Sequence, residues 1–134
     1  MSIYWPAEEM VRGLQMNNEK EYIINPVAKP RQTRADVWKK RRCVMQYRAF
    51  ADKCRALGMK VPVFGAHITF VIPMPKSWSK KKMVAMDGMP HQQQKDVDNL
   101  CKSVLDALYE NDSCVWDIRL TKVWGRTGKI IIKT

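Results

Sequence analysis

Long apolar runs are absent from this 134-residue chain, whose hydrophobic residues, 46% of the total, are interleaved with charges. No stretch approaches the roughly 20 apolar residues needed to cross a bilayer, so a soluble protein is expected. The opening residues MSIYWPAEEM bring in acids before any apolar run. They therefore lack the order of a secretory signal peptide, and a cytoplasmic location is the expectation. Cys43, Cys54, Cys101 and Cys114 are scattered, with no Cys-x-x-Cys and no neighbouring His pattern. That argues against a zinc site or redox motif and leaves them as small core residues in a reducing compartment. Internal repeats and low-complexity segments are missing too, and the length suits one modest core. Residues 1–134 therefore read as a single domain.

Acids are in short supply as well: 13 Asp and Glu stand against 24 Lys and Arg, a net charge of +11. Such a balance favours a polyanionic partner such as nucleic acid. An anionic membrane surface fits less well, because no amphipathic helix presents a purely apolar face ending in anchoring aromatics.

Along the chain, Tyr22-Ile23-Ile24 suits a strand, and Pro26 and Pro30 then hold the backbone extended. From Asp36 to about Leu57 the apolar positions Val37, Val44, Tyr47, Ala51 and Cys54 recur at helical spacing, with Asp36 as N-cap and Gly58 as stop. The other face of this helix is basic, through Lys39, Lys40, Arg41, Arg42, Arg48, Lys53 and Arg55, and serves either simple solvation or DNA contact. AHITFVIP, residues 66–73, has the β-branched and aromatic content of a buried strand. Ser77 to Met83 can start a short helix capped by Ser77 or Ser79, and MDGMPHQQQK follows it, together resembling a mobile basic flap. Asn99 to Tyr109 sets Leu100, Val104, Ala107 and Leu108 on one helical face. Val115–Trp124 and Lys129–Lys133 read as two strands joined as a closing hairpin through Gly125-Arg-Thr-Gly128. Helices and strands do not alternate regularly enough for a doubly wound fold, so the expectation is an α+β domain with helices packed on a mixed β-sheet.

The chemistry is concentrated between Lys95 and Asp117. With Val97 extended, Asp96 and Asp98 would project to one side, forming half a cage. Neighbouring carboxylates repel unless a cation lies between them, and a hard, oxygen-seeking Mg²⁺ resolves that conflict. Asp112, in the turn END before the next strand, offers a third carboxylate. Ions held there would activate a water and stabilise charge on a scissile phosphate. Lys102, one helical turn beyond Asp98, could neutralise a phosphate oxygen or orient that water. The same residues also admit purely structural roles: Asp98 as an N-cap, Asp98 and Lys102 as a surface ion pair, Asp112 as a turn former.

The string DVDNLCKSVLDALYENDSCVWD, residues 96–117, resembles the RusA family of Holliday junction resolvases, with its Asp-x-Asp-Asn-Leu-x-Lys, its Asp-Ala-Leu and its acidic turn before a strand. Asn99, Leu100, Lys102, Asp106, Ala107 and Leu108 all fit that signature. The likeness continues more loosely through AHITFVIP, PKSWSKKKM and the closing strands, while the first 60 residues are less telling. The resemblance implies that Asp96, Asp98 and Asp112 hold Mg²⁺ and that Lys102 is a catalytic lysine. It further implies a homodimer that nicks two strands of a four-way DNA junction symmetrically, in recombination and repair, with a phage or prophage origin. Two departures stand out: Asn111 occupies a position where the family often carries an acid, and Lys95 is not followed by the proline often found before the first Asp.

Phosphate contacts are expected from Lys76, Lys80, Lys81 and Lys82 in the flap and from Arg31 and Arg34 after Pro30. Trp78 either stacks on an exposed base or pins the flap, and Trp116 and Trp124 suit a core or a dimer interface. Asp106 is expected to pair with a Lys or Arg and support the site from behind. Asp117 is either a water-mediated ligand or a solvent-facing residue, and His67 and His91 are given no role. The alternatives are a Mg²⁺ nuclease for other branched DNA or RNA, and a basic nucleic-acid-binding protein without catalysis.

Overall fold

In the computed structural model, which describes residues 18–30 and 42–134, three helices pack on a four-stranded mixed sheet. The elements are β1 (Glu19–Tyr22), α1 (Arg42–Ala56), β2 (Ala66–Pro73), α2 (Lys80–Met86), α3 (Val97–Leu108), a 3-10 turn (Asp112–Cys114), β3 (Ile118–Gly125) and β4 (Lys129–Lys133). The α+β expectation is therefore met.

β2 forms where the sequence placed it, and its composition explains its central position. Ala66, Ile68, Phe70 and Ile72 alternate onto the face that joins the core with Leu100, Val104, Phe50 and Cys54. α1 buries Val44, Phe50, Ala51 and Cys54. It ends where Gly58 takes a φ of 68°, with Gly58 N–H donating to Arg55 O and Met59 N–H to Cys54 O, the paired closure that a left-handed residue permits. The proposed start of this helix at Asp36, with Val37 and Lys39 to Arg41, lies outside the described residues. In α3 the buried side chains are Leu100, Cys101, Ser103, Val104, Leu105 and Ala107. Ser103 is tolerated there because its hydroxyl donates back to Leu100 O at 2.7 Å.

The closing hairpin does not exist. The sheet order is β1-β4-β2-β3, with β3 parallel to β2 and β4 antiparallel to it, so the two last strands flank β2 instead of pairing with each other. The Gly125–Gly128 connection must then cross β2. A Cβ at Gly125 would collide with the Val71 side chain, and one at Gly128 with Asn25, which is why glycine stands at both ends of the crossing. β1 is also displaced from the expected Tyr22–Ile24 to Glu19–Tyr22. Ile24 instead turns into the core, while the charged edge strand pairs with β4 and sets Glu21 3.7 Å from Lys129. The start of β3 falls at Ile118 rather than Val115, because the 3-10 turn intervenes.

Candidate active site

α3 delivers the first two acids. Asp96 is its N-cap, with extended backbone and no side-chain capping bond, and Asp98 lies in the first turn. The helix therefore begins at Val97, so the expected extended Asp96-Val97-Asp98 segment is not formed, and Asp98 is not the N-cap. Carboxylates at a helix start are favoured by the unpaired N–H groups there. Asp112 opens the 3-10 turn, which is capped by Asn111 through a 3.1 Å bond from Ser113 N–H. The residue that departs from the family pattern thus closes the turn that carries the third acid.

The fields of two of these acids meet at one side chain. Burial pushes the Cys101 thiol up to about 11, and the charges of Asp112 and then Asp98 add to that effect. Lys29 is held above its usual value chiefly by its hydrogen bond to Asp106, with the charges of Asp106, Tyr47 and Asp112 adding and desolvation opposing. Asp106 is therefore paired with a lysine, as expected. Lys29 N–H also donates to Asn99 O at 3.3 Å, fastening the Pro26–Pro30 segment against the first half of α3. Lys29 was missed from sequence; the available signal was a lone cation in a stretch straightened by two prolines.

The donor chemistry of Asp96, Asp98 and Asp112 fits a hard divalent cation, since all three offer carboxylate oxygens and none has a side-chain hydrogen bond or ion pair among the described residues. The Asp98–Lys102 surface pair of the purely structural alternative is not formed. Yet among the described residues no group of three or more His, Cys, Asp or Glu is gathered closely enough to hold a metal ion. Lys102 is exposed one turn beyond Asp98 on α3. Asp117 is exposed; its backbone carbonyl accepts from Gly65 N–H at 3.1 Å. An open concavity of about 470 Å³ lined by Arg55, Met59 and Asp106 to Glu110 lies at the other end of α3, and none of the three acids borders it.

Lys76, Lys80, Lys81 and Lys82 are all exposed. α2 starts at Lys80, with Ser79 as the cap accepting from Lys82 N–H at 3.2 Å, and the Lys82 ammonium lies 4.4 Å above the Trp78 ring. Arg31 and Arg34 lie outside the described residues. Trp78 packs 4.7 Å from Trp124, pinning the flap to the core. The chain after α2 is not a free loop: Gly88 and His91 N–H donate to Trp124 and Lys122 carbonyls, and Trp124 N–H donates to Met89 O. His91 is 5% exposed, its ring 4.3 Å from Trp124, and burial lowers its pKa first, followed by the charges of Lys122 and Lys95. His67 bonds Thr121 at 2.8 Å and is likewise structural. Trp124 belongs to the core, whereas Trp116 is 64% exposed and stacks on Phe64 at 5.6 Å.

In comparison with known proteins, the family model described as Endodeoxyribonuclease RusA matches residues 24–134. No curated protein and no solved structure matches the chain.

Proposed function

From its membership of the RusA endodeoxyribonuclease family, to which this chain belongs, we propose that it resolves four-way DNA junctions as a Mg²⁺-dependent homodimer making paired symmetric nicks. The carrying observation is the pair of carboxylates at the start of α3, Asp96 and Asp98, which have no side-chain partner among the described residues.

Asp96, Asp98 and Asp112 are the residues that would hold the cation. Mg²⁺ there supplies an activated water and charge stabilisation at the scissile phosphate. Lys102, exposed on the same helix, neutralises a non-bridging phosphate oxygen as the leaving oxygen departs. Lys76, Lys80, Lys81 and Lys82 hold the phosphate backbone without reading sequence, which suits a substrate recognised by its branching. A two-fold dimer would present two identical sites to a junction that is itself nearly two-fold symmetric. Such a protein would act on recombination and repair intermediates in the cytoplasm, and a phage or prophage origin is in keeping with the family.

One observation favours a second reading, binding without cleavage: the acids are not gathered into a three-ligand cage among the described residues. Cleavage of a labelled four-way junction beside a linear duplex of the same sequence, with Mg²⁺ or EDTA and with Asp98→Asn, decides between them. Paired nicks confined to the junction, lost with EDTA and in the variant while binding persists, are the expected outcome. Tight binding with no cut under any condition would establish the second reading, and light scattering checks the dimer.

A further inference from the structure

The stretch that leads into α3 is held by very little. His91 N–H donates to Lys122 O at 3.1 Å, and the next backbone bond along the chain is accepted by Asp96 O, from Leu100 N–H. Between them, among the described residues, the backbone of Gln92 to Lys95 has one fastening. The Lys122 ammonium donates to Gln93 O at 2.9 Å and to Lys95 O at 2.7 Å.

Lys95 itself has a φ of 107°, the one non-glycine residue with positive φ among those described. A side chain in that region is disfavoured unless the surroundings over-determine it. The next residue is Asp96, which enters the helix with no capping bond of its own, so the direction of its carboxylate follows from the backbone turn at Lys95.

Lys122 is well placed to impose that turn. It stands opposite Phe70 in the β2–β3 register, and so on the face that carries Leu120 and Trp124 toward the helices. A lysine interrupting an apolar alternation is the sequence signal that could have singled it out. Its ammonium is directed onto two carbonyl oxygens and has no carboxylate partner among the described residues.

We infer that Lys122 is a positioning residue of the active site: by gripping the Gln93 and Lys95 carbonyls it holds the left-handed turn that aims Asp96. The inference rests on the function proposed above for the identity of the cation, but its structural half stands apart from it.

The test uses the full chain with Lys122→Met, which keeps length and removes the donors, and Lys122→Arg, which restores them. In Lys122→Met, amide hydrogen exchange at Leu100, whose N–H donates to Asp96 O, should quicken tenfold or more while β2 keeps its protection. Mg²⁺ affinity by calorimetry without DNA should weaken at least tenfold, junction binding in EDTA should stay within about twofold, and Lys122→Arg should recover most of both losses. If Lys122→Met loosens β2 as well, Lys122→Gln, which keeps one donor, decides by the same readouts. Unchanged exchange and Mg²⁺ affinity would overturn the inference. So would unchanged exchange with lost junction binding, which would make Lys122 a phosphate contact. Should the native protein neither bind Mg²⁺ nor cut, the proposed function fails, and exchange alone judges Lys122.

Discussion

The two ends of α3 are built to opposite rules. At its C-terminal end the polar groups are matched: Asp106 pairs with Lys29, Arg55 donates to Ala107 O at 2.8 Å, and the Tyr109 hydroxyl donates to Val61 O. At its N-terminal end Asp96 and Asp98 have no side-chain partner among the described residues, and the approach to the helix hangs on one lysine. One end of the helix joins it to α1 and to the chain before β2, while the other holds acids whose mutual repulsion nothing in the described chain relieves. The matched end sets stability, and the unmatched end is available for chemistry.

The sharpest way to break that contrast is Asp98→Asn. Junction cleavage should fall by roughly 10³-fold, about 4 kcal/mol of barrier. The thermal midpoint should move little, since the repulsion that is relieved and the favourable place at the helix start that is lost oppose each other. A loss of stability matching the loss of rate would mean that the two ends are not distinct. Leu100→Ala comes next, because Leu100 is fully buried on the same helix. A cavity there should cost about 3 kcal/mol in denaturant unfolding, and a cost below about 1 kcal/mol would show that the helix is loosely packed at the site. Asp106→Asn should have the smallest effect. Its partner Lys29 is 39% exposed, so screening limits the loss to under about 1 kcal/mol of stability, with a fall in cleavage of about tenfold through the displaced Lys29.

The pH dependence sharpens that last comparison. The Lys29 pKa is raised in the folded protein above its usual 10.5, so the pair's contribution is fully present below pH 10.5 and lost as pH rises through the folded value. The stability gap between native protein and Asp106→Asn should therefore be level from neutral pH to about 10 and close above it, as thermal melts across that range would show. A gap that stayed open as the pH rose past the Lys29 value would transfer the effect to another group.

Much of this was legible because strong local patterns met little tertiary opposition. AHITFVIP forms a strand over the expected residues, and KIIIK does too. The acid string stood out through its likeness to the family signature and not through its geometry, since the extended Asp96-Val97-Asp98 segment read from the spacing does not form where the helix begins at Val97. The sheet order was not readable: Gly125-Arg-Thr-Gly128 carries local hairpin chemistry, and only the bulk of Val71 and Asn25 beneath it reveals a crossing. β1 was misplaced because Ile23 and Ile24 look like strand, whereas Ile24 fills the core and Glu19–Tyr22 pairs through its backbone. The turn at Lys95 could not be foreseen either, since a positive φ at lysine arises from the grip of a residue on another strand.

The crossing over β2 also bears on how the chain reaches its native state. Ala66 pairs with Ile118, His67 with Lys133 and Glu19 also with Lys133, so every ladder among the described residues joins segments far apart in sequence, and even β2 and β3, which are successive and paired, are separated by two helices. Loop-closure entropy must be met before any pairing is rewarded, which places the domain among slow folders, roughly in the millisecond-to-second range. With no local hairpin among the described residues to act as a seed, the nucleus has to form around β2, and substitutions in that strand should slow refolding more than they hasten unfolding.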